Sequence, residues 1–184
     1  MNSSSQDTYD AIIVGSGPGG ATVARELSAQ NNKVLILEWG ADRGIRGSAW
    51  QAMLAGGIPG KSLLFTHDAL AMIRAITTGG SSMFYYATAF DPPIEMLKSH
   101  GLDITEEVAQ IRDELPVAVL KDELIGPGAS RIMASAQALG YDWQKLPKFV
   151  FQDKCRKDCW RCNYGCPYGA KWNARHYVDQ ALEN

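Results

Sequence analysis

Four cysteines, Cys155, Cys159, Cys162 and Cys166, fall within the single stretch CRKDCWRCNYGCPYGAKW, and the chain has no others. Thiolates this close together can wrap an iron–sulfur cluster, close a zinc site or pair as disulfides. The pattern is C-x3-C-x2-C-x3-C-P, and its C-x2-C-x3-C-P ending has the form of a ferredoxin run. With four thiols available, each would hold one iron of a 4Fe–4S cluster, and Gly165 and Gly169 would let the loop turn around it. Zinc is the alternative, although zinc sites usually draw two close pairs from separated knuckles. The C-x3-C-x2-C spacing of radical-SAM enzymes is set aside, because Arg161 stands where those have an aromatic residue. Trp160, Tyr164, Tyr168 and Trp172 either shield a cluster or form ordinary core. Lys154, Arg156, Lys157 and Arg161 would offset the charge of a thiolate-bound cluster or form a docking patch for an acidic electron carrier.

A second chemistry is written near the N-terminus. The apolar run Ala11 to Val14 reads as a strand buried on both faces of a parallel sheet. It meets Gly15, Ser16, Gly17, Pro18, Gly19 and Gly20, and a helix follows with Ala21, Ala24 and Leu27 on one face. KVLILE then gives a second strand ending at Glu38. In this order of elements Gly15 makes the tight turn, Gly17 admits a pyrophosphate, and Gly20 lets helix and strand pack. The helix N-terminus offers N–H groups to phosphate, and Glu38 can accept from ribose hydroxyls. The glycine pattern marks a dinucleotide site without separating FAD from NAD.

The remaining elements must position these two sites. Residues 42–61 read as loop with one short helix, and 62–76 as a helix or helix–loop segment. Gly79, Gly80, Ser81 and Ser82 can bring amides and hydroxyls to a second part of a cofactor, or form a plain loop ahead of a strand from Met83 to Phe90. Pro92 and Pro93 precede a short helix at 94–99, and Asp103 with Glu106 makes a capping box for a helix through Leu115. A further helix fits 129–140, stopped by Gly140. His67, His100 and His176 neighbour no nucleophile motif and read as structural or surface residues.

Composition narrows the class. The 184 residues are 46% hydrophobic and 21% charged, with a formal net charge of −2 and a pI near 5.9, so nothing recommends nucleic acid or an anionic membrane surface. The polar start MNSSSQDTYD reads as no signal peptide, and no apolar run reaches the length of a membrane span. Cytoplasmic residence is the expectation, and it disfavours disulfides.

Four segments in order, DAIIVGSGPGGATVARELS, VLILEWG, TTGGSSMFYYATAF and GCPYGAKWNARHYVDQAL, resemble the N-terminal half of the glucose–methanol–choline (GMC) family of FAD-dependent oxidoreductases. Residues 91–150 add little to the likeness. The resemblance implies FAD over NAD, with the ADP part at Gly15, Gly17, Pro18, Gly19, Gly20 and Glu38. It places the pyrophosphate and flavin along Gly79, Gly80, Ser81 and Ser82. Tyr85 departs from it, standing where members often have asparagine. Family members often carry a similar cysteine segment and not all are iron–sulfur proteins, so the ligand stays open between 4Fe–4S, zinc and free or paired thiols.

The fold class implied is α/β, an incomplete Rossmann-like FAD-binding domain with a Cys-rich loop insertion. Residues 1–150 form the FAD-binding part, 151–175 the cluster loop, and 176–184 the start of a helix leading onward. The sequence ends at Asn184, where a further strand of such a domain is expected, and no residue matches the family's catalytic histidine. The sequence is therefore either a fragment or, if 184 residues is the natural length, a subunit whose expected partner is a second chain carrying the C-terminal half, in a hetero-oligomer. The activity implied is oxidation of a small-molecule alcohol at its CH–OH carbon, with electrons leaving through the cluster to a carrier. A non-catalytic electron-transfer subunit, or a plain flavin oxidase fragment with a zinc- or disulfide-stapled loop, are the alternatives.

Overall fold

The computed structural model describes residues 7–42, 44 and 47–184. Most of the polar start read for a leader, and three residues of the 42–61 segment, lie outside the described residues. The strands are β1 (Ala11–Val14), β2 (Val34–Leu37), β3 (Leu63–Phe65), β4 (Ala71–Ile73), β5 (Val117–Val119) and β6 (Pro147–Phe149). The helices are α1 (Pro18–Ala29), α2 (Ala49–Gly56), α3 (Ile94–Ser99), α4 (Thr105–Glu114), α5 (Pro127–Ala138) and α6 (Arg175–Glu183). They fall into two compact units, one of residues up to 85 with 163–165 and 173–184, the other of 86–162 with 166–172.

In the first unit β1, α1 and β2 form a parallel βαβ motif, in register from Ala11 opposite Val34 to Val14 opposite Leu37. Pro18 opens α1, where its missing N–H leaves no bond unmade. The helix buries Ala21, Ala24 and Ser28, and α6 packs against it through Tyr177 and Val178. The Arg25 guanidinium lies 3.9 Å from the centre of the Tyr177 ring, a cation–π contact that ties the two helices together. β1 is not buried on both faces as its apolar run predicts. Ile12 and Val14 are 61% and 83% exposed, because the helices of this unit cover the sheet on one side only.

Two local readings are corrected in this unit. Residues 62–76 form an antiparallel hairpin of β3 and β4, not a helix. The turn is closed by Thr66 N–H to Leu70 O at 2.9 Å and Leu70 N–H to Thr66 Oγ1 at 3.1 Å, with Ala69 in the left-handed region at φ 59°. The strand expected from Met83 to Phe90 begins instead as a 3-10 turn over Gly80–Phe84. Gly79 and Gly80 at φ 86° and 58° coil the chain, and Ser82 Oγ donates to Gly79 O at 2.6 Å.

The second unit carries α3, α4 and α5 around an antiparallel β5–β6 pair, neither strand of which was legible beforehand. Thr88 bridges to Lys148, so only the end of the expected 83–90 strand finds a partner. Helix α4 starts at Thr105, and Asp103 Oδ1 accepts from Thr105 N–H at 3.1 Å and from its Oγ1 at 2.5 Å in place of a capping box with Glu106. Phe149 and Trp172 pack with ring centres 5.8 Å apart beside buried Val150 and Ala170. Among the described residues no helix is long and apolar enough to cross a membrane.

Candidate functional site

The glycine turn is built around Ser16, which is almost wholly buried. Glu38 Oε2 accepts from Ser16 N–H at 2.9 Å and from Ser16 Oγ at 2.6 Å, while Glu38 Oε1 accepts from Gly40 N–H at 2.6 Å. Ser16 Oγ in turn accepts from Gly79 N–H at 3.1 Å. One hydroxyl thus joins the turn after β1, the acid after β2 and the glycine pair that precedes the 3-10 turn. A carboxylate has about four acceptor sites, and with the Trp39 amide also directed at Glu38 a ribose hydroxyl would share an oxygen with these donors.

Glu38 is held below the usual carboxylate range. Burial alone raises its pKa, but hydrogen bonds from the Ser16 side chain and from the Gly40, Ser16 and Trp39 amides together outweigh burial. A carboxyl lowered on folding adds stability above its unfolded pKa and loses it as pH falls through the folded value. The wild-type chain is expected to lose stability on acidification below about pH 4.5 more steeply than Glu38→Gln, in urea titrations across that range.

The glycines form a cradle that a side chain would fill. Gly15 is at φ 90°, and a Cβ on Gly17 or Gly19 would meet nothing within 4 Å, so the space beside both is open. A Cβ on Gly20 would lie 2.0 Å from Gly15 O, and one on Gly80 would lie 3.0 Å from Gly17 Cα. No side chain caps α1, so its first-turn N–H groups face this open space without a side-chain acceptor. The residues fit a dinucleotide pyrophosphate. Ser81 and Ser82 are engaged in holding the turn: Ser81 Oγ accepts from Ala75 N–H at 3.0 Å and Ser82 Oγ from Ala174 N–H at 2.9 Å. The structure thus brings Gly15, Gly17, Pro18, Gly19, Gly20, Glu38, Gly79, Gly80, Ser81 and Ser82 into one unit.

The four cysteines all lie in the second unit as half-buried free thiols. Burial pushes the Cys155 and Cys162 thiols up, and repulsion from Cys166 acts on both in the same direction. Cys166 itself sits at φ 35°, an uncommon backbone for a residue with a side chain. Lys171, 2% exposed, donates from Nζ to Cys162 O at 2.9 Å, and desolvation lowers its pKa to about 8 against the pull of Cys162 and Cys166. Nothing in the pattern of spacing singled out Lys171. Among the described residues no group of three or more His, Cys, Asp or Glu is arranged to hold a metal ion. The donor chemistry suits a soft metal or a cluster, but the arrangement seen here is not a ligand set.

A βαβ motif with a glycine cradle at the helix start and an acid at the end of the second strand defines a Rossmann-like dinucleotide-binding protein. Residues 13–77 match the NAD(P)-binding Rossmann-like domain. An uncharacterized GMC-type oxidoreductase of Mycobacterium tuberculosis is 27% identical over 179 residues, which cover 89% of this chain and 28% of that protein. A long-chain-alcohol oxidase of Arabidopsis thaliana is 27% identical over 184 residues, 90% of this chain and 24% of its own length. The fold is shared with pyridoxine 4-oxidase from Mesorbium loti, at TM-score 0.64 and 17% identity over 96% of this chain and 40% of that one. It is shared too with formate oxidase from Aspergillus oryzae, at TM-score 0.52 and 18% identity over 95% and 37%. The chain is similar to part of these GMC-type oxidoreductases, and it spans 28% of the length of the Mycobacterium relative.

Proposed function

We propose that this chain is the FAD-binding part of a flavin oxidoreductase acting on CH–OH donors. The observation that carries it is the Ser16 junction, which holds the glycine cradle, Glu38 and Gly79 as one site on a fold shared with GMC-type proteins. Residues 1–150 serve this binding, 151–175 form the cysteine loop, and 176–184 lead toward the remainder. Bound FAD supplies the hydride acceptor; the chain's own residues orient it through backbone amides and exclude water from the turn. The base that takes the hydroxyl proton is proposed to come from the C-terminal half, in this or a second polypeptide. The exposed sheet face of Ile12, Val14 and Leu37 suits cover by that half. Cytoplasmic residence fits the free thiols.

The reading is tested by titrating FAD onto the chain and following flavin fluorescence. Saturable binding at about one per chain is expected, and NAD binding in its place would overturn the choice of cofactor.

The 4Fe–4S cluster is a further part of the proposal, carried by donor chemistry alone: four thiols within twelve residues, with the buried Lys171 side chain donating to Cys162 O. No electron path is derived through it, since the loop would have to rearrange to present four ligands. Protein purified without oxygen is expected to carry about four iron and four sulfide, with a broad visible band that bleaches on reduction. Zinc, or no metal, would make the loop a structural staple and leave the flavin reading intact.

A further inference from the structure

The first unit contains a cavity of about 510 Å³ that the dinucleotide cradle does not use. One wall is a face of α2 made by Ala49, Ala52, Met53 and Gly56, spaced as helix neighbours on one side. Three of these four are Ala or Gly, so the ligand would run close to the helix backbone, while Met53 can adapt to its outline. Ile73 and Phe84 add apolar surface to the lining. Among the described residues lining the cavity there is no Asp, Glu, Lys, Arg, His or Cys, and the polar side chains are those of Ser81, Asn163 and Tyr164. An ionised or polyhydroxylated molecule would bury more polar groups than these three could satisfy. Its size is that of small-molecule sites in general.

Ser81 fixes the cavity's relation to the cofactor segment. It follows Gly79 and Gly80, the first of which is bonded to Ser16 of the glycine turn, and it is itself part of the cavity lining. Ser81 Oγ accepts the Ala75 N–H, which leaves its hydroxyl proton as a donor. We propose that this cavity takes the uncharged apolar tail of the alcohol donor, with the hydroxyl end toward Ser81. The inference rests on the flavin reading above and adds the substrate class to it.

The test is calorimetric titration of hexanol, octanol and decanol onto the chain saturated with FAD, with glucose as the polar comparison. Burial of each added methylene is expected to tighten binding roughly fourfold, and glucose is expected not to bind. Two separate plugs are then placed. Gly56→Leu adds bulk where a Cβ would make only an ordinary 3.5 Å contact with Ile73 Cγ2, and Ala52→Trp fills the trough one turn earlier. Either plug is expected to weaken decanol at least tenfold, by roughly the burial of two methylenes, while FAD affinity is unchanged.

Affinity that is flat along the series, or plugs that leave it unchanged, would overturn the inference and leave the flavin reading standing. Plugs that release FAD would assign the cavity to the flavin ring and overturn it as well. Failure of the unsubstituted chain to bind FAD at all would remove the reading itself, and the inference with it.

Discussion

Ser16→Ala is expected to lower the Tm of the chain by on the order of 10–20 °C and to weaken FAD binding roughly tenfold or more. The substitution deletes a short hydrogen bond to an ionised carboxylate and strips the acceptor from the Gly79 N–H, which is buried. A hydrogen bond to a charged group contributes about 1.5–3 kcal/mol, and an unsatisfied buried amide costs about 1–3 kcal/mol. Glu38 keeps the Ser16 N–H, so the turn after β1 is loosened and not abolished. The larger consequence is for Gly79 and Gly80, which lose this tie to the glycine turn and are left with local bonds such as Gly80 N–H to Thr77 O and Ser82 Oγ to Gly79 O. Ser81→Ala is the comparison: it also removes one hydroxyl that accepts one amide, but that bond is exposed, and a loss under about 1 kcal/mol is expected. Thermal unfolding and flavin titration of the two variants side by side make the check. Equal, small effects would mean that the junction at Ser16 does not hold the two segments together in solution.

That junction also marks where the sequence stopped being readable. The βαβ motif was legible because its signals are local: an apolar run, a glycine turn, an alanine-faced helix and an acid at a strand end, all within residues 11–38. Ser16 gave no such signal, since it fills a position the glycine pattern leaves open and its partner Gly79 lies 63 residues away. Glu38 was legible as an acid in the right place, yet its bonds to Ser16 and Gly40, which make it a brace of the turn as well as a candidate ribose ligand, needed the fold.

The hairpin at 62–76 was misread for a different reason. Strands of three residues offer too few positions for a period of two to stand apart from a helical one, and the turn that decides the matter rests on Thr66 and on Ala69 at positive φ. β5 and β6 were missed on the same ground, each being three residues long and paired across some thirty residues of intervening chain. For the cysteines, spacing announced soft-ligand chemistry; the mutual arrangement of the thiols, and the burial of Lys171 beside Cys162, are tertiary facts.

Two glycines of the same turn are expected to fail in opposite ways. Gly20→Ala would place a Cβ 2.0 Å from Gly15 O and 3.1 Å from Ile13 Cγ2, so α1 could no longer lie against β1. Backbone carbonyl and strand have no room to give, and the helix is the element that α6 packs on. Loss of cooperative unfolding, or recovery only in insoluble form, is the expected result. Gly17→Ala is predicted to fold. Its φ of −65° is open to any residue, and the new methyl would meet no protein atom within 4 Å. That same space is where a pyrophosphate must approach the α1 N-terminus, so FAD affinity should fall by a factor on the order of a hundred while Tm moves by no more than a few degrees. Circular dichroism melts and flavin titration of both variants separate the roles. A Gly17→Ala chain that binds FAD as well as the wild type would move the phosphate away from this turn. A Gly20→Ala chain that folds and binds normally would show that β1 and α1 are not packed as closely as the fold requires.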